Sequence, residues 1–269
     1  MVKLISLDLD GTLLDPQGHV SQQSKQAIAK ARAMGIRVVL NTGRSIQEAA
    51  YFVRQAGCDS LFCALGGGAV ADGERGEVIR RWDIPEPSGQ QALALCLNRE
   101  IELMIFAGDQ IVTDPFSHIS LSKTFPFPMF HENSIITEHP LDYMAEHDLP
   151  LTKIHGDCNP SRYPLAELVQ LPGVSLTSSN DHDFELVAAH VDKGRALAVL
   201  SMLYGIPLCD CAGVGDSQND LAMLQAVGTP IAMGNAAPAV KAAACHVVSS
   251  NGEDGAAQAI LYCIAQNEP

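Results

Sequence analysis

The chain has 269 residues, 47% of them hydrophobic and only 5% aromatic, with 31 acidic against 17 basic side chains and a formal net charge of −14. That length exceeds the ~100–200 residues usual for one domain, and the apolar share excludes both disorder and collagen-like repeats. An acidic chain without a basic block repels nucleic acid and anionic membrane surfaces, so neither is an expected partner. In chain order, residues 3–9 form a short apolar run ending in Asp10-Gly11-Thr12, which suits a buried strand entering a loop. Ser21 to Met34 is a helix-length segment with Ala27, Ile28, Ala31 and Met34 at helical spacing, stopped at Gly35. Residues 36–42 form a second strand, Ser45 and Glu48 make a capping box for a helix to about Ala56, and residues 60–70 run as a third strand into three glycines. Strands and helices alternating at these lengths predict a parallel sheet with helical crossovers.

The same rhythm returns late. Lys193 to Tyr204 reads as a helix closed by Gly205, and residues 207–216 as a strand into a glycine-containing loop. Asn219–Ala226, Pro238–Ala244 and Ala256–Gln266 read as helices, separated by strands at 229–235 and 245–250. Between them, residues 83–187 carry proline breaks at Pro85, Pro87, Pro115, Pro126, Pro128, Pro140 and Pro150 and a less regular alternation. The fold class expected is therefore α/β: a Rossmann-like core of residues 1–82 and 188–269 with residues 83–187 inserted as a second domain. Asp8 and Asp10 interrupt the first apolar stretch, so no signal peptide is expected, and no run of ~20 apolar residues suggests a membrane span. Eight cysteines without a CxxC spacing read as reduced, buried thiols of a cytoplasmic protein.

Four groups of residues carry chemistry. Asp8 and Asp10 end the first strand, where an extended chain points i and i+2 to one side and where open α/β sheets keep their functional crevice. Two such carboxylates repel unless a shared proton or a hard cation such as Mg²⁺ relieves them; an acidic Asx turn is the plainer alternative. Asp216, Asn219 and Asp220 gather oxygen atoms at another strand end, though helix caps favour the same residue types. Thr42 and Gly43 follow the second strand, suited to a phosphate near a helix start or to an ordinary turn. Lys193 opens a helix against its dipole, which a nearby anion explains; a solvent-directed lysine explains it more simply when taken alone.

Taken together, D8-L-D-G-T-L-L14, T42-G-R44, K193-G194 and G215-D-S-Q-N-D220 resemble, in the same order, the motifs of the haloacid dehalogenase (HAD) superfamily, and in particular its Cof-type, sugar-phosphatase-like hydrolases. The loop M233-G-N-A236 is similar as well. The resemblance implies that residues 83–187 are an α/β cap that sets substrate specificity. It implies that Asp8 is the nucleophile that becomes an aspartyl phosphate, and that Asp10 is the acid and then the base. Mg²⁺ would be held by the Asp8 carboxylate, the Asp10 backbone carbonyl and Asp216. Leu9, Thr42, Gly43, Lys193 and Asn219 would hold the phosphoryl group, with Asp220 supporting Lys193 or the metal. The expected activity is Mg²⁺-dependent hydrolysis of the phosphomonoester of a small metabolite, a sugar phosphate or a cofactor phosphate. A sugar phosphomutase, a phospho-acceptor switch and a phosphate-ligand-binding scaffold are the alternatives, the switch fitting poorly because receivers are half this length.

Two departures from the family pattern stand out: Gly67-Gly68-Ala69 where Asn-Gly-Ala is common, and Asn41 where a small residue often precedes the threonine. The first would remove a contact at the junction of core and cap; the second is expected to be neutral. Arg44 reads equally as a substrate contact or a structural salt bridge. Asp181-His182-Asp183 reads as a polar turn; Phe116, Phe125, Phe127 and Phe130 read as lining of a substrate pocket or, more simply, as cap core.

Overall fold

Leu-Ile-Ser-Leu after Lys3 forms β1 (Leu4–Leu7), buried along its whole length as a strand covered on both faces must be. The structure, a computed structural model, describes residues 1–97, 99, 101–124, 134–157, 165–177 and 183–267. A wide turn at Leu9–Leu13 follows β1, then α1 (Gln22–Ala33), β2 (Arg37–Leu40), α2 (Ile46–Ala56), β3 (Leu61–Ala64), β4 (Ala69–Asp72) and β5 (Glu77–Arg81). Ser21 caps α1 by accepting from the Ser24 N–H, and Ser45 and Glu48 form the reciprocal capping box of α2.

Next come α3 (Glu86–Leu97), β6 (Glu102–Ala107), β7 (Gln110–Thr113), α4 (Pro115–Thr124), β8 (Ser134–Ile136), α5 (Pro140–Glu146) and β9 (Leu151–Asp157). They are followed by α6 (Leu165–Leu168), β10 (Val174–Thr177) and β11 (Asp183–Ala188). The chain then forms α7 (Lys193–Leu203), β12 (Cys211–Gly215), α8 (Leu221–Ala226), β13 (Thr229–Ala232), α9 (Pro238–Ala243), β14 (His246–Val247) and α10 (Gly255–Ala265). By contact density it divides into two units, residues 1–80 with 192–269, and residues 81–191.

In the first unit, five parallel strands run in the order β14-β13-β12-β1-β2, so the first strand sits inside the sheet beside a strand two hundred residues later. Leu4, Ile5, Leu7, Val38, Val39, Leu40, Val214 and Ile231 are fully buried and form its core. α1 packs on α10, and α7 on α8. The third strand departs from the sequence reading. Leu65, Gly66 and Gly67 take successive positive φ values of 57°, 66° and 100°, and the chain reverses there into β4, antiparallel to β3. Among the described residues β3 therefore pairs with the parallel sheet through an isolated bridge between Asn41 and Cys63 and belongs to a separate sheet, β3-β4-β5.

The second unit is a six-stranded sheet, β10-β11-β9-β6-β7-β8, antiparallel except for β7 with β8. Leu103, Ile105, Val112, Ile154, Phe184 and Leu186 pack with Leu93 and Cys96 of α3 and Met144 of α5 into its core. Alternate residues carry charge. Lys153 of β9 bonds Glu185 of β11 at 2.5 Å, both buried, with His155 of β9 beside them. Burial opposes ionisation of Glu185, but Lys153 outweighs it and holds the carboxyl down at about 2. Asp183 is a buried strand residue here, not part of a turn; residues 181–182 lie outside the described residues. Phe116 is exposed on α4, contrary to the core reading, while Phe125, Phe127 and Phe130 lie outside the described residues.

None of the seven described cysteines is in a disulfide; Cys58, Cys63, Cys96, Cys211 and Cys263 are buried, whereas Cys209 and Cys245 are exposed, contrary to the expectation of buried thiols. Among the described residues, no helix is long and apolar enough to cross a membrane.

Candidate active site

β1 and β12 lie side by side in parallel, Leu7 opposite Val214, and the Asp8 N–H donates to the Val214 carbonyl at 3.0 Å. Asp8 is thus the last residue of the ladder on one strand, and Asp216 follows directly at the end of the other. Both stand at carboxyl ends, where a parallel sheet leaves its crevice. Asp8 is buried, and its Oδ1 accepts from Lys193 Nζ at 2.7 Å. The same ammonium donates to Asp220 Oδ1, also at 2.7 Å. Lys193 is the first residue of α7, and two carboxylates account for a cation placed against the helix dipole.

Asp220 is fully used by the protein, since its Oδ2 accepts from the N–H groups of Asp216 and Ser217 at 3.0 and 3.1 Å. Asp216 accepts from Thr12 Oγ1 at 3.3 Å and lies 3.5 Å from Asn235 Nδ2, which also donates to the Gly11 carbonyl at 2.8 Å. Gly11 has φ 75°, and a Cβ there would stand 2.4 Å from Asp216 Oδ2, so only glycine lets the turn after Asp10 approach that carboxylate.

One lysine serves three carboxylates. Burial drives the Asp8 carboxyl well above the usual carboxylate range; Asp220 and Asp216 add to the rise and Lys193 opposes it. Asp216 is pushed up to about 6, by burial first and then by Asp220. For Lys193, burial works against the ammonium, but Asp220 and Asp8 outweigh it and hold it above the ordinary lysine value. Carboxyl oxygens of Asp8, Asp216 and Asp220 lie within 4.8 Å of one another. With Asp220 already saturated, Asp8 and Asp216 are the pair left short of positive charge, and a hard divalent cation fits that shortage.

A family model described as haloacid dehalogenase-like hydrolase matches residues 5–260. The chain belongs to the haloacid dehalogenase-like hydrolases. It is an enzyme of the phosphatase kind, as its full-length relatives are named. It is 30% identical to the 5-amino-6-(5-phospho-D-ribitylamino)uracil phosphatase YwtE of Bacillus subtilis, over 95% of this chain and 96% of that protein. It is also 30% identical to the HMP-PP phosphatase of Klebsiella pneumoniae, over 92% of this chain and 89% of that protein. Its fold superposes on a haloacid dehalogenase-like hydrolase from Bacillus subtilis with a TM-score of 0.86, at 27% identity and over 97% and 99% of the two chains.

Several expected site residues sit differently in this hydrolase. Asp10 does not share the side of Asp8. The wide turn begins at Leu9, and Asp10 points outward, its side chain 55% exposed and held by Arg44 through two bonds of 2.9 and 2.6 Å. Arg44 therefore makes a salt bridge, with Glu48 as a further partner; burial opposes its charge, but Asp10 raises it above the ordinary value. The acidic cluster accordingly contains Asp220 in place of the Asp10 side chain. Leu9 is buried in the turn, Thr42 is buried with its Oγ1 accepting from the Arg44 N–H at 3.2 Å, and Gly43 lies between them in the chain. Asn219 is partly buried, and its Oδ1 accepts from the Ser217 hydroxyl at 2.9 Å.

At Gly67 the structure corrects the comparison with the family pattern. A Cβ there would stand 2.2 Å from the Asp192 carbonyl oxygen, so no asparagine side chain is missing from this position. Gly66, with φ 66°, is the neighbour whose backbone an asparagine tolerates. Sequence reasoning missed Thr12 and Asn235 as partners of Asp216. The signal was present: both lie inside the quoted motifs, in the loops that follow β1 and β13.

Proposed function

We propose that this hydrolase is a Mg²⁺-dependent phosphatase that cleaves the phosphomonoester of a small metabolite through an aspartyl phosphate on Asp8. The observation that carries the reading is the buried Asp8 carboxylate held at 2.7 Å by Lys193 beside Asp216, at the carboxyl ends of two adjacent parallel strands. Asp8 attacks phosphorus, and Asp10 gives a proton to the departing oxygen. Asp10 then takes a proton from water as that water attacks the aspartyl phosphate, releasing inorganic phosphate and restoring Asp8. For both tasks the Asp10 carboxyl would leave Arg44, which here holds both of its oxygens, and turn towards Asp8; its exposed position gives it room to do so.

The Asp8 carboxylate, the Asp10 carbonyl and Asp216 would hold Mg²⁺, which supplies positive charge against the phosphoryl oxygens when bound. Thr42, the Leu9 and Gly43 N–H groups, Lys193 and Asn219 position the transferring group, and positioning with charge carries most of phosphoryl transfer. Asp220 holds Lys193 from the other side. Residues 81–191 act as the cap that selects the organic part of the substrate. The two curated relatives bear the names of phosphatases for different small molecules, in keeping with a conserved reaction and a variable leaving group. Seven described cysteines without a disulfide suit the cytoplasm. Phosphate release from a metabolite panel with Mg²⁺ tests the reading: turnover of at least one phosphomonoester, lost in Asp8→Asn, is expected. Undiminished turnover in that variant removes Asp8 as nucleophile.

A further inference from the structure

Asn41 sits at the end of β2, one residue before Thr42, and is fully buried. Its backbone N–H donates to the Leu7 carbonyl at 2.8 Å, directly before Asp8. On its other side it bridges to Cys63, whose carbonyl accepts from the Thr42 N–H at 3.0 Å. Its side chain leaves the sheet: Nδ2 donates to the Lys193 carbonyl at 2.9 Å and lies 3.5 Å from Met223 Sδ. Asn41 thus touches the strand end carrying Asp8, continues into Thr42, and ties both to the first residue of α7.

The cost of this arrangement is visible. Asn41 Oδ1 is buried and has no hydrogen-bond partner among the described residues. Turning the amide over would satisfy nothing, because Oδ1 would then face the Lys193 carbonyl oxygen. A buried carbonyl oxygen without a donor lowers stability, and it nearly cancels what the bond to Lys193 contributes. A small apolar residue there would remove both. An asparagine kept at such a place is poorly explained by stability.

We propose that Asn41 is a positioning residue for catalysis: its amide clamps the start of α7 to β2 and so fixes Lys193 Nζ relative to Asp8 and Thr42. This rests on the phosphatase reading, since it assigns Lys193 to the reacting phosphoryl group. The lysine side chain is long, and its two bonds to Asp8 and Asp220 depend on where its backbone stands. A shift of α7 by a fraction of an ångström is enough to spoil a transition-state contact while the substrate still binds.

The test uses the full chain with Asn41→Ala and Asn41→Leu, the second keeping the branched heavy-atom skeleton of the side chain without its polar atoms. Melting temperature with Mg²⁺, kcat and KM are measured on a phosphomonoester that the unaltered enzyme hydrolyses. The expected result is a melting temperature unchanged or raised, kcat lowered at least tenfold, and KM within about threefold, as misplacement by about 1 Å can cost on the order of a hundredfold in rate. A kcat within twofold of the unaltered enzyme in both variants overturns the proposal. So does a melting temperature lowered by several degrees in both, which makes Asn41 a stability element. An unaltered enzyme that hydrolyses no phosphomonoester refutes the phosphatase reading itself, which separates the two failures.

Discussion

Replacing Lys193 by Met is the most informative single perturbation of the site. Lys193 is 1% exposed and donates at 2.7 Å to both Asp8 and Asp220, which are equally buried. Methionine matches its length and leaves two buried carboxylates without their cation. Breaking a buried pair by removing one partner costs about 3–5 kcal/mol, and one lysine shared by two carboxylates belongs at the upper end of that range. For a chain of this size that is a fall in melting temperature of roughly 10 to 20 °C.

The loss has a definite pH dependence. Asp8 already stands well above its unfolded value through burial and its acidic neighbours, and losing Lys193 removes the influence that opposes the rise. A carboxyl raised in the folded state binds more protons folded than unfolded, so stability falls as pH rises above the unfolded value. Melting curves in EDTA at pH 5 and pH 8 should therefore show a larger deficit for Lys193→Met at pH 8. A deficit under about 2 °C at pH 8, or a larger one at pH 5, would refute the electrostatic account.

Other consequences are separately measurable. Asp216, pushed up to about 6, competes for a proton with any cation, so thermal stabilisation by Mg²⁺ should grow as pH rises from 5 through about 6; a flat profile there contradicts Asp216 as a ligand. In the second unit, Glu185→Gln leaves Lys153 buried without its counter-charge and should cost about 3–5 kcal/mol by denaturant titration. Because Glu185 is held at about 2, its contribution is present above the ordinary glutamate value and is lost as pH falls from about 4.5 towards 2. An acid midpoint unchanged in the variant would show that the pair contributes nothing. Gly67→Asn drives a Cβ against the Asp192 carbonyl beside Lys193 and should lower both stability and kcat, whereas unaltered values would mean that α7 yields without consequence.

How much of this was legible in the sequence differs from residue to residue. Alternation of apolar runs with capped helices located β1, α1, β2, α2, α7 and α10 because each carries its own local signal, such as the Ser45–Glu48 box. The reversal at Leu65–Gly67 was not legible, because three consecutive positive φ values cannot be told from an extended apolar run. In the site, Asp8, Asp216, Asp220 and Lys193 were legible through motif order, and the structure brings them within bonding distance across almost the whole chain. The outward turn of Asp10 was not, since i and i+2 share a side only while the backbone stays extended, and here the turn starts at Leu9. Asn41 looked neutral because its partner, a backbone carbonyl, leaves no trace in residue types. The buried Lys153–Glu185 pair was hidden for a related reason: its members meet through strand pairing, 32 positions apart.

The most direct measurement of the central claim is rapid acid quenching of the enzyme during turnover with Mg²⁺, followed by mass spectrometry of the peptide containing Asp8. The account predicts one phosphoryl group on Asp8, formed and lost at rates compatible with kcat, and none in Asp8→Asn. Turnover with no phosphorylated Asp8 at any quench time, or with the phosphoryl group on another residue, would contradict it.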